Sequence, residues 1–522
     1  MSDAALATPK ITEGHRGLVT IAVMLATIMQ ALDTTIANVA LPHMQGSMGA
    51  TQDQISWVLT SYIVAAAIFM PLTGFLSARV GRKRIFLLAV VGFTITSMLC
   101  GAAQNLTQIV SFRLLQGVFG ASLVPLSQAV LLDSYPREKH GSAMALWGVG
   151  VMVGPILGPS LGGWLTEYYN WRWVFYINLP FGILAWLGIM AYVSETPLDP
   201  KRKFDLLGFG FLSVALGALQ MMLDRGESLD WFASREVTIE AIMAVMGFYL
   251  FITHIFTTDH AFIEPALFKD RNFSIGLIFI FIIGVILLAT MALLPPYLQA
   301  LEGYPVIDVG LLLAPRGMGT MIAMLMVGRL SGKLDARLMI AIGLGLTCLS
   351  LWLMTQFTLD MSGSHIVTTG ILQGLGLGFI FVPLSTLTFS TLQSHYRTEG
   401  TALFSLVRNI GSSIGISIVI TYLAERTQIN HAAFAAYITP FRPAAQLAIN
   451  QNSLDLITTL GLSTIDARVT AEAANLAYLQ DFRLMMWITL AATPLIFLLR
   501  PPKKKAAKPD EVPDDVMEAV ME

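Results

Sequence analysis

The stretch 17-GLVTIAVMLATIMQALDTTIANVAL-41 holds one ionisable side chain, Asp33, in an otherwise uncharged run. About 20 consecutive apolar residues suffice to span a bilayer as a helix. The run therefore predicts a transmembrane helix with a carboxyl group inside it, about 12 Å from the outer end at roughly 1.5 Å per residue. It is too long for a signal-peptide core and has no small-residue cleavage pattern, so it reads as a retained helix. A carboxylate at that depth costs several kcal/mol unless it takes a proton, pairs with a cation or meets water, which makes Asp33 a functional candidate. A structural side chain bonded to a neighbouring helix is the competing reading.

The rest of the chain repeats this pattern. Hydrophobic residues make up 55% of the 522 and charged residues only 13%, against about a quarter charged in a soluble domain. Lipid must be the solvent. A net charge of -2, with no lysine- or arginine-rich stripe, argues against nucleic-acid binding. Two isolated cysteines, Cys100 and Cys348, make neither a disulfide scaffold nor a thiolate metal site.

Further apolar runs follow near 55–77, 85–103, 107–132, 141–165, 174–193, 204–223, 237–257, 273–298, 307–328, 337–357, 364–389, 399–423 and 480–499. The prediction is an all-α integral membrane protein with fourteen transmembrane helices. Residues 424–479, polar and containing Pro440 and Pro443, form the single long loop. Lysine and arginine gather on the cytoplasmic side of membrane proteins. With residues 1–16 inside, the inner segments hold 22 of them and the outer loops six. This split places both termini, 1–16 and 500–522, in the cytoplasm and loop 424–479 in the periplasm.

An internal repeat divides the chain. Leu115-Gln116-Gly117 recurs as Leu372-Gln373-Gly374, Val124-Pro125-Leu126-Ser127 as Val382-Pro383-Leu384-Ser385, and Gly74-Phe75-Leu76-Ser77 is echoed by Gly328-Arg329-Leu330-Ser331. The shift corresponds to eight helices. Two six-helix bundles, 17–193 and 273–499, separated by a linker with two inserted helices (194–272), account for it. Parallel repeats of this kind form transporters with the substrate path between the halves.

Other intramembrane charges mark the chemistry. Arg113 opens Arg113-Leu114-Leu115-Gln116-Gly117 in the fourth helix, and a guanidinium stays charged in any protein environment. It must meet a carboxylate, a carbonyl or water, either to tune a nearby acid or to brace two helices. Arg316, Arg408 and Asp308 are comparable groups in the second half, read as a gate, a proton path or structural ties. The fifth helix carries Gly150, Gly154, Pro155, Gly158, Pro159, Gly162 and Gly163. Small residues let helices approach closely and prolines bend them, so this helix reads as a seal and pivot. The loop holding Gly74, Arg79, Gly81 and Arg82 joins the second and third helices, where its cations can latch helix ends on the inner face; ordinary positive-inside charge is the competing reading. No metal-ligand spacing and no Walker-type sequence occurs, which leaves a proton gradient rather than ATP as energy source and implies no cofactor.

Together these segments resemble the major facilitator superfamily, and within it the fourteen-helix drug:proton antiporters that include the Emr-type multidrug pumps. Asp33–Pro42 resembles their first-helix signature, Arg113–Gly117 the proton-linked fourth-helix motif, and the Gly-Pro run 148–163 the antiporter motif. Asn170 to Pro180 and Leu223-Asp224-Arg225-Gly226 are also similar to that family. The resemblance implies the major facilitator fold and proton-coupled export of hydrophobic or amphipathic compounds across a bacterial inner membrane. It also implies a periplasmic adaptor and an outer-membrane channel as partners. The loop motif departs from the pattern: Ala78 stands where an aspartate is usual, so the charge latch is weakened or rebuilt. A proton symporter importing a nutrient, or a non-transporting sensor or assembly protein, are the competing readings.

Overall fold

The structure, a computed structural model, describes residues 13–200, 202–258, 260–359, 361–439, 441–451 and 458–500. The extreme termini 1–12 and 501–522, Lys201 and part of the predicted 424–479 loop (Pro440 and 452–457) lie outside them. Among the described residues thirteen helices are long and apolar enough to cross a membrane, and two shorter ones meeting at a 55° bend make fourteen when counted as one span.

The first six spans are α1 (Arg16–Met48), α2 (Asp53–Phe69 bent into Leu72–Val80), α3 (Arg82–Ala102), α4 (Leu106–Ser134), α5 (Arg137–Tyr168) and α6 (Trp173–Tyr192). Two follow as the insert: α7 (Leu206–Arg225) and α8 (Arg235–Thr257). The last six are α9 (Arg271–Leu301), α10 (Asp308–Leu330), α11 (Ala336–Met354), α12 (Gly363–Ser390), α13 (Ser394–Ala435) and α14 (Thr459–Leu498).

Side-chain caps set several starts. Thr51 and Gln54 form a reciprocal capping box ahead of α2, and Asn105, Asp205, Asp270 and Asp335 each accept an N–H at the head of α4, α7, α9 and α11. Such caps satisfy N–H groups that lack a partner within the helix. α1 ends at Gly49 in the left-handed region (φ 60), the usual backbone of a helix stop. It therefore runs through Pro42 to Met48, past the end of its apolar run, and Asp33 lies about 22 Å from that end at roughly 1.5 Å per residue.

The segment 424–479 departs most from the reading as a loop. α13 continues helically to Ala435, α14 begins at Thr459, and a short helix, Pro443–Asn450, lies between. Hydropathy registers only the apolar part of a helix. These extensions are rich in alanine (Ala432, Ala433, Ala435; Ala467, Ala471, Ala473, Ala474, Ala477), the strongest helix former. They pack on each other through buried Ile465, Val469 and Ala473, with Asn430 donating to the Ala473 carbonyl at 3.2 Å.

Within the first six helices α1 packs on α5 and α6, and α2 on α4; within the last six α9 packs on α13, and α10 and α11 on α12. The two sets meet chiefly where α5 lies along α10 and where α13 crosses α4. The insert packs as a pair, with α7 against α2 and α13.

Candidate functional site: two buried charge centres and a rebuilt latch

Asp33 and Arg113 come together. α1 and α4 bring Arg113 Nη1 to 2.6 Å from Asp33 Oδ2, with their side chains 1% and 0% exposed. The second carboxylate oxygen accepts from Gln116 Nε2 at 2.8 Å and Asn178 Nδ2 at 2.9 Å. Arg113 Nε donates to the Val58 carbonyl at 3.0 Å, and the guanidinium lies 4.3 Å from the centroid of the Tyr62 ring. Helices α1, α2, α4 and α6 thus contribute one neutral, dry cluster. Breaking such a pair by removing one partner costs about 3–5 kcal/mol. The sequence reading identified the two charges but gave Tyr62, Gln116 and Asn178 no role in the site. The available signal was their polarity inside apolar runs.

The second half is built differently. Arg316 is 7% exposed, and its Nη2 donates to the Leu287 carbonyl at 3.2 Å and Thr290 Oγ1 at 3.4 Å. Gln373 Nε2 donates to the same Thr290 hydroxyl at 3.2 Å. Asp308, eight positions earlier, is exposed at the head of α10 and is not brought to Arg316, so the gate or proton path read from their spacing finds no ion pair here. Arg408 is half-buried in α13, and its side chain has no hydrogen-bond or ion-pair partner among the described residues.

α5 is the principal contact between the halves, but its glycine run packs within the first half. A Cβ at Gly154 would lie 2.5 Å from the Ala31 backbone, and one at Gly158 2.1 Å from Thr35 Oγ1. Gly150 faces Met24 and Gly162 faces Ile36, so this face lies on α1. The opposite side meets α10, with Ile156 against Gly317 and Met324 against Gly148. The helix carries Pro155 and Pro159 without interruption. Gly163 has nothing within 4 Å of a Cβ and takes no part in that packing.

The face carrying the 74–84 loop, called the basic face below, is closed by charge and by packing. Arg82 donates to Asp133 at 2.5 Å, and the other oxygen of Asp133 accepts from Arg397 of α13. Asp133 therefore bridges the two halves. Gly74 lies so close to Glu399 that a Cβ would sit 3.0 Å away. Glu399, 5% exposed, accepts from Arg202 at 2.9 Å and from the Glu264 N–H at 2.8 Å. Both donors belong to the segments flanking the inserted helices. Gly81 adopts φ 109, a backbone that only glycine takes up readily, and this turn starts α3 with Arg82. Arg79 is exposed, with its guanidinium 5.9 Å from the centroid of the Phe75 ring. Ala78 uses its carbonyl to accept the Asp199 N–H at 2.8 Å. The ion pairs on this face are thus made by Asp133 and Glu399, acids that the sequence alone does not single out. Beneath it, Trp147 stacks on Phe381 across the halves at 5.9 Å, and Thr401 donates to the Pro125 carbonyl at 3.0 Å.

Among the described residues no group of three or more histidines, cysteines or acids is placed to hold a metal ion.

Comparison with known proteins agrees with this architecture. The family model described as Major Facilitator Superfamily matches residues 23–416. The chain is 36% identical over 490 residues to a Neisseria gonorrhoeae protein named Fatty acid resistance protein FarB, covering 93% of this chain and 96% of that one. It is 35% identical to Multidrug export protein EmrB of Escherichia coli strain K12, covering 93% and 95%. Probable multidrug resistance protein EmrY of the same strain is 34% identical over 94% and 97%. Among solved structures, the human organic anion transporter MFSD10 (TETRAN) superposes with a TM-score of 0.58 at 14% identity, covering 91% of this chain and 99% of that one. That likeness speaks to the fold alone.

Proposed function

The chain belongs to the major facilitator superfamily, in the branch of the Emr-type multidrug export proteins, and from that membership we propose that it exports hydrophobic and amphipathic compounds across a bacterial inner membrane in exchange for protons. The observation that carries proton exchange is the Asp33–Arg113 pair, sealed from water among four helices. A carboxylate parted from its cation in such a place is neutralised by a proton rather than left charged. Movement of α4 relative to α1 then loads the proton, and reformation of the pair releases it. α5, packed on α1 through glycines and on α10 across the halves, links that local exchange to rocking of the bundles. The closed basic face is one end state of alternating access between 17–193 and 273–499, the latch centred on Asp133 holding it shut.

The basic face is the cytoplasmic one in this reading, with both termini on that side. Protons, amphipathic compounds and lipid are the partners of the transport step, and no cofactor enters it. A periplasmic adaptor leading to an outer-membrane channel would meet the α13–α14 extension on the opposite face.

Purified protein in liposomes with an imposed pH gradient tests the proposal. Substrate movement that follows the gradient in wild type supports it, and movement indifferent to the gradient removes proton coupling. A drug-susceptibility panel on cells with and without the protein reads direction and range. Accumulation instead of protection would identify an importer.

A further inference from the structure

Asp481 of α14 is an acid that the charge pairs described above leave out. It is 0% exposed, and both of its carboxyl oxygens are enclosed without a hydrogen-bond partner. It stands 17 residues from the basic-face end of α14 (Leu498), and Asp33 stands 17 residues from the basic-face end of α1 (Arg16). At roughly 1.5 Å per residue both carboxyl groups lie about 26 Å deep. Each half thus holds an enclosed acid at that depth, and only the first is answered by a cation.

The helices packed on α14 are α13, α11 and α9, and none of them brings a charge to Asp481. α9 contributes Tyr297, whose ring lies 5.1 Å from that of Tyr478 and whose hydroxyl donates to Asn475 Oδ1 at 3.1 Å and Glu302 Oε1 at 3.5 Å. The chain leaving α11 sets the Phe357 ring 6.0 Å from Phe482, and the ionisable groups of α11, Cys348 and Arg337, lie nearer the basic face. α13 presents Tyr422 and Arg426, while its Glu425 is exposed, as is Glu472 of α14.

Arg426 belongs to a cleft of about 320 Å³ between α13 and α14, whose other wall is Gln480, Arg483, Leu484 and Trp487. Gln480 is the neighbour of Asp481, so the cleft adjoins the next face of the helix. Nε of Arg426 and Oε1 of Gln480 are enclosed without partners, and among the described residues no carboxylate pairs with Arg426 or Arg483. An unanswered acid and an unanswered cation therefore lie on adjacent faces of one helix.

A carboxylate shut away from water without a partner costs several kcal/mol, so a carboxyl group in such a place keeps its proton. Asp481 is the neutral acid of this state, and Asp33, held by Arg113, the ionised one. An acid that stayed neutral throughout would do nothing that asparagine could not. Its carboxyl group points to a second, ionised state. A turn of α14 by one residue position, about 100°, would carry Asp481 to where Gln480 now faces Arg426, and the cleft leaves room for it.

We propose that Asp481 is a second proton-carrying group: this state is half-loaded, with a proton on Asp481 and none on Asp33, and the full cycle moves two. The inference rests on the efflux reading above. On release the O–H bond of Asp481 breaks, the proton leaves to water admitted as the basic face opens, and the carboxylate left behind pairs with the Arg426 guanidinium.

Ethidium, a monovalent cation, is the probe, with purified full-length protein in liposomes. One proton exchanged for one ethidium moves no net charge, whereas two protons move one. Wild type should therefore answer an imposed membrane potential as well as a pH gradient, its ethidium ratio changing about tenfold for each ~60 mV. D481N, which resembles the neutral acid in shape, should stay monodisperse and follow the pH gradient but lose the response to potential. D481E, which keeps an ionisable group, should retain that response. A second readout follows the proton itself. The infrared carbonyl band of a protonated carboxylic acid should fade from wild type in an alkaline titration and lose a component in D481N. If D481N does not fold, the wild-type arms decide. Wild-type exchange indifferent to potential, D481N exchange that still answers it, or a band that never titrates overturns the second site. Movement that follows the pH gradient but not the potential keeps efflux and ends the second site. A titrating band that D481N lacks, with no gradient-driven movement of ethidium, keeps the proton on Asp481 and ends proton-driven efflux.

Discussion

Asp33 and Thr290 stand 257 positions apart, as do Gln116 and Gln373, and in each half the glutamine donates to its helix partner, at 2.8 Å in the first and 3.2 Å in the second. The scaffold of the two sites has been kept and the charge has not. The first half sets a carboxylate against its arginine. The second sets a hydroxyl there and brings an arginine from a different helix. In the first half the buried carboxylate and guanidinium satisfy each other, the state from which the proposed proton exchange would start. In the second, among the described residues, Arg316 meets a carbonyl and a hydroxyl instead of a carboxylate. The two similar frames differ at two corresponding positions, Asp33/Thr290 and Arg113/Gly370.

The strongest way to break this contrast is Asp33→Asn, which keeps hydrogen bonding to Gln116 and Asn178 but makes the first half resemble the second. Gradient-driven efflux should be abolished in liposomes while the protein remains monodisperse, and full retained activity would remove Asp33 from the coupling. Next is Thr290→Asp, which gives the second half the acid it lacks, within reach of Arg316. Paired with Arg316 as Asp33 is with Arg113, the new acid should raise the thermal midpoint of the purified protein, and an unchanged or lower midpoint would show that Arg316 gains nothing from a counter-charge. Asp133→Asn acts on the bridge between halves, parting Arg82 and Arg397. Loss of a partly buried bridge of this kind favours the open basic face by roughly 1–3 kcal/mol, so thiol labelling of a cysteine placed at Ser331, on the contact with Gly141, should rise about tenfold. Glu399→Gln should do the same more weakly, about twofold to threefold, because Arg202 is partly exposed and its pair correspondingly weak. The first two changes test what differs between the halves, and the last two what ties them together.

The sequence carried the frame of this protein more fully than its contacts. Long apolar runs bounded by arginines and lysines leave a bilayer-spanning helix little alternative, and the repeated Leu-Gln-Gly and Val-Pro-Leu-Ser segments fix which helices correspond. Asp33 and Arg113 were legible because a charge in such a run demands an answer, and each is the other's answer. The remainder depended on which helices touch. Asp133, Arg397 and Glu399 lie at helix ends, where charge is ordinary, and only the crossing of α13 over α4 turns them into a bridge. Asp308 and Arg316 share a helix and a spacing, but α10 leaves the first exposed at its head and turns the second towards α9, which intrahelical spacing cannot reveal. The 424–479 segment reads as a loop because hydropathy measures affinity for lipid, whereas alanine and pairing with a neighbour make it helical.

α13 spans Ser394–Ala435, about 60 Å at 1.5 Å per residue, roughly twice the thickness of the hydrocarbon core. Clasped to the head of α14, it is a mast stepped in one bundle and longer than the hydrocarbon core is thick. Each degree through which that bundle tilts sweeps the tip by about 1 Å, so small motions around a buried arginine emerge as broad ones far away. A fluorophore at exposed Leu460 would act as the needle of a gauge, and whatever grips the mast would feel each turnover as a tug.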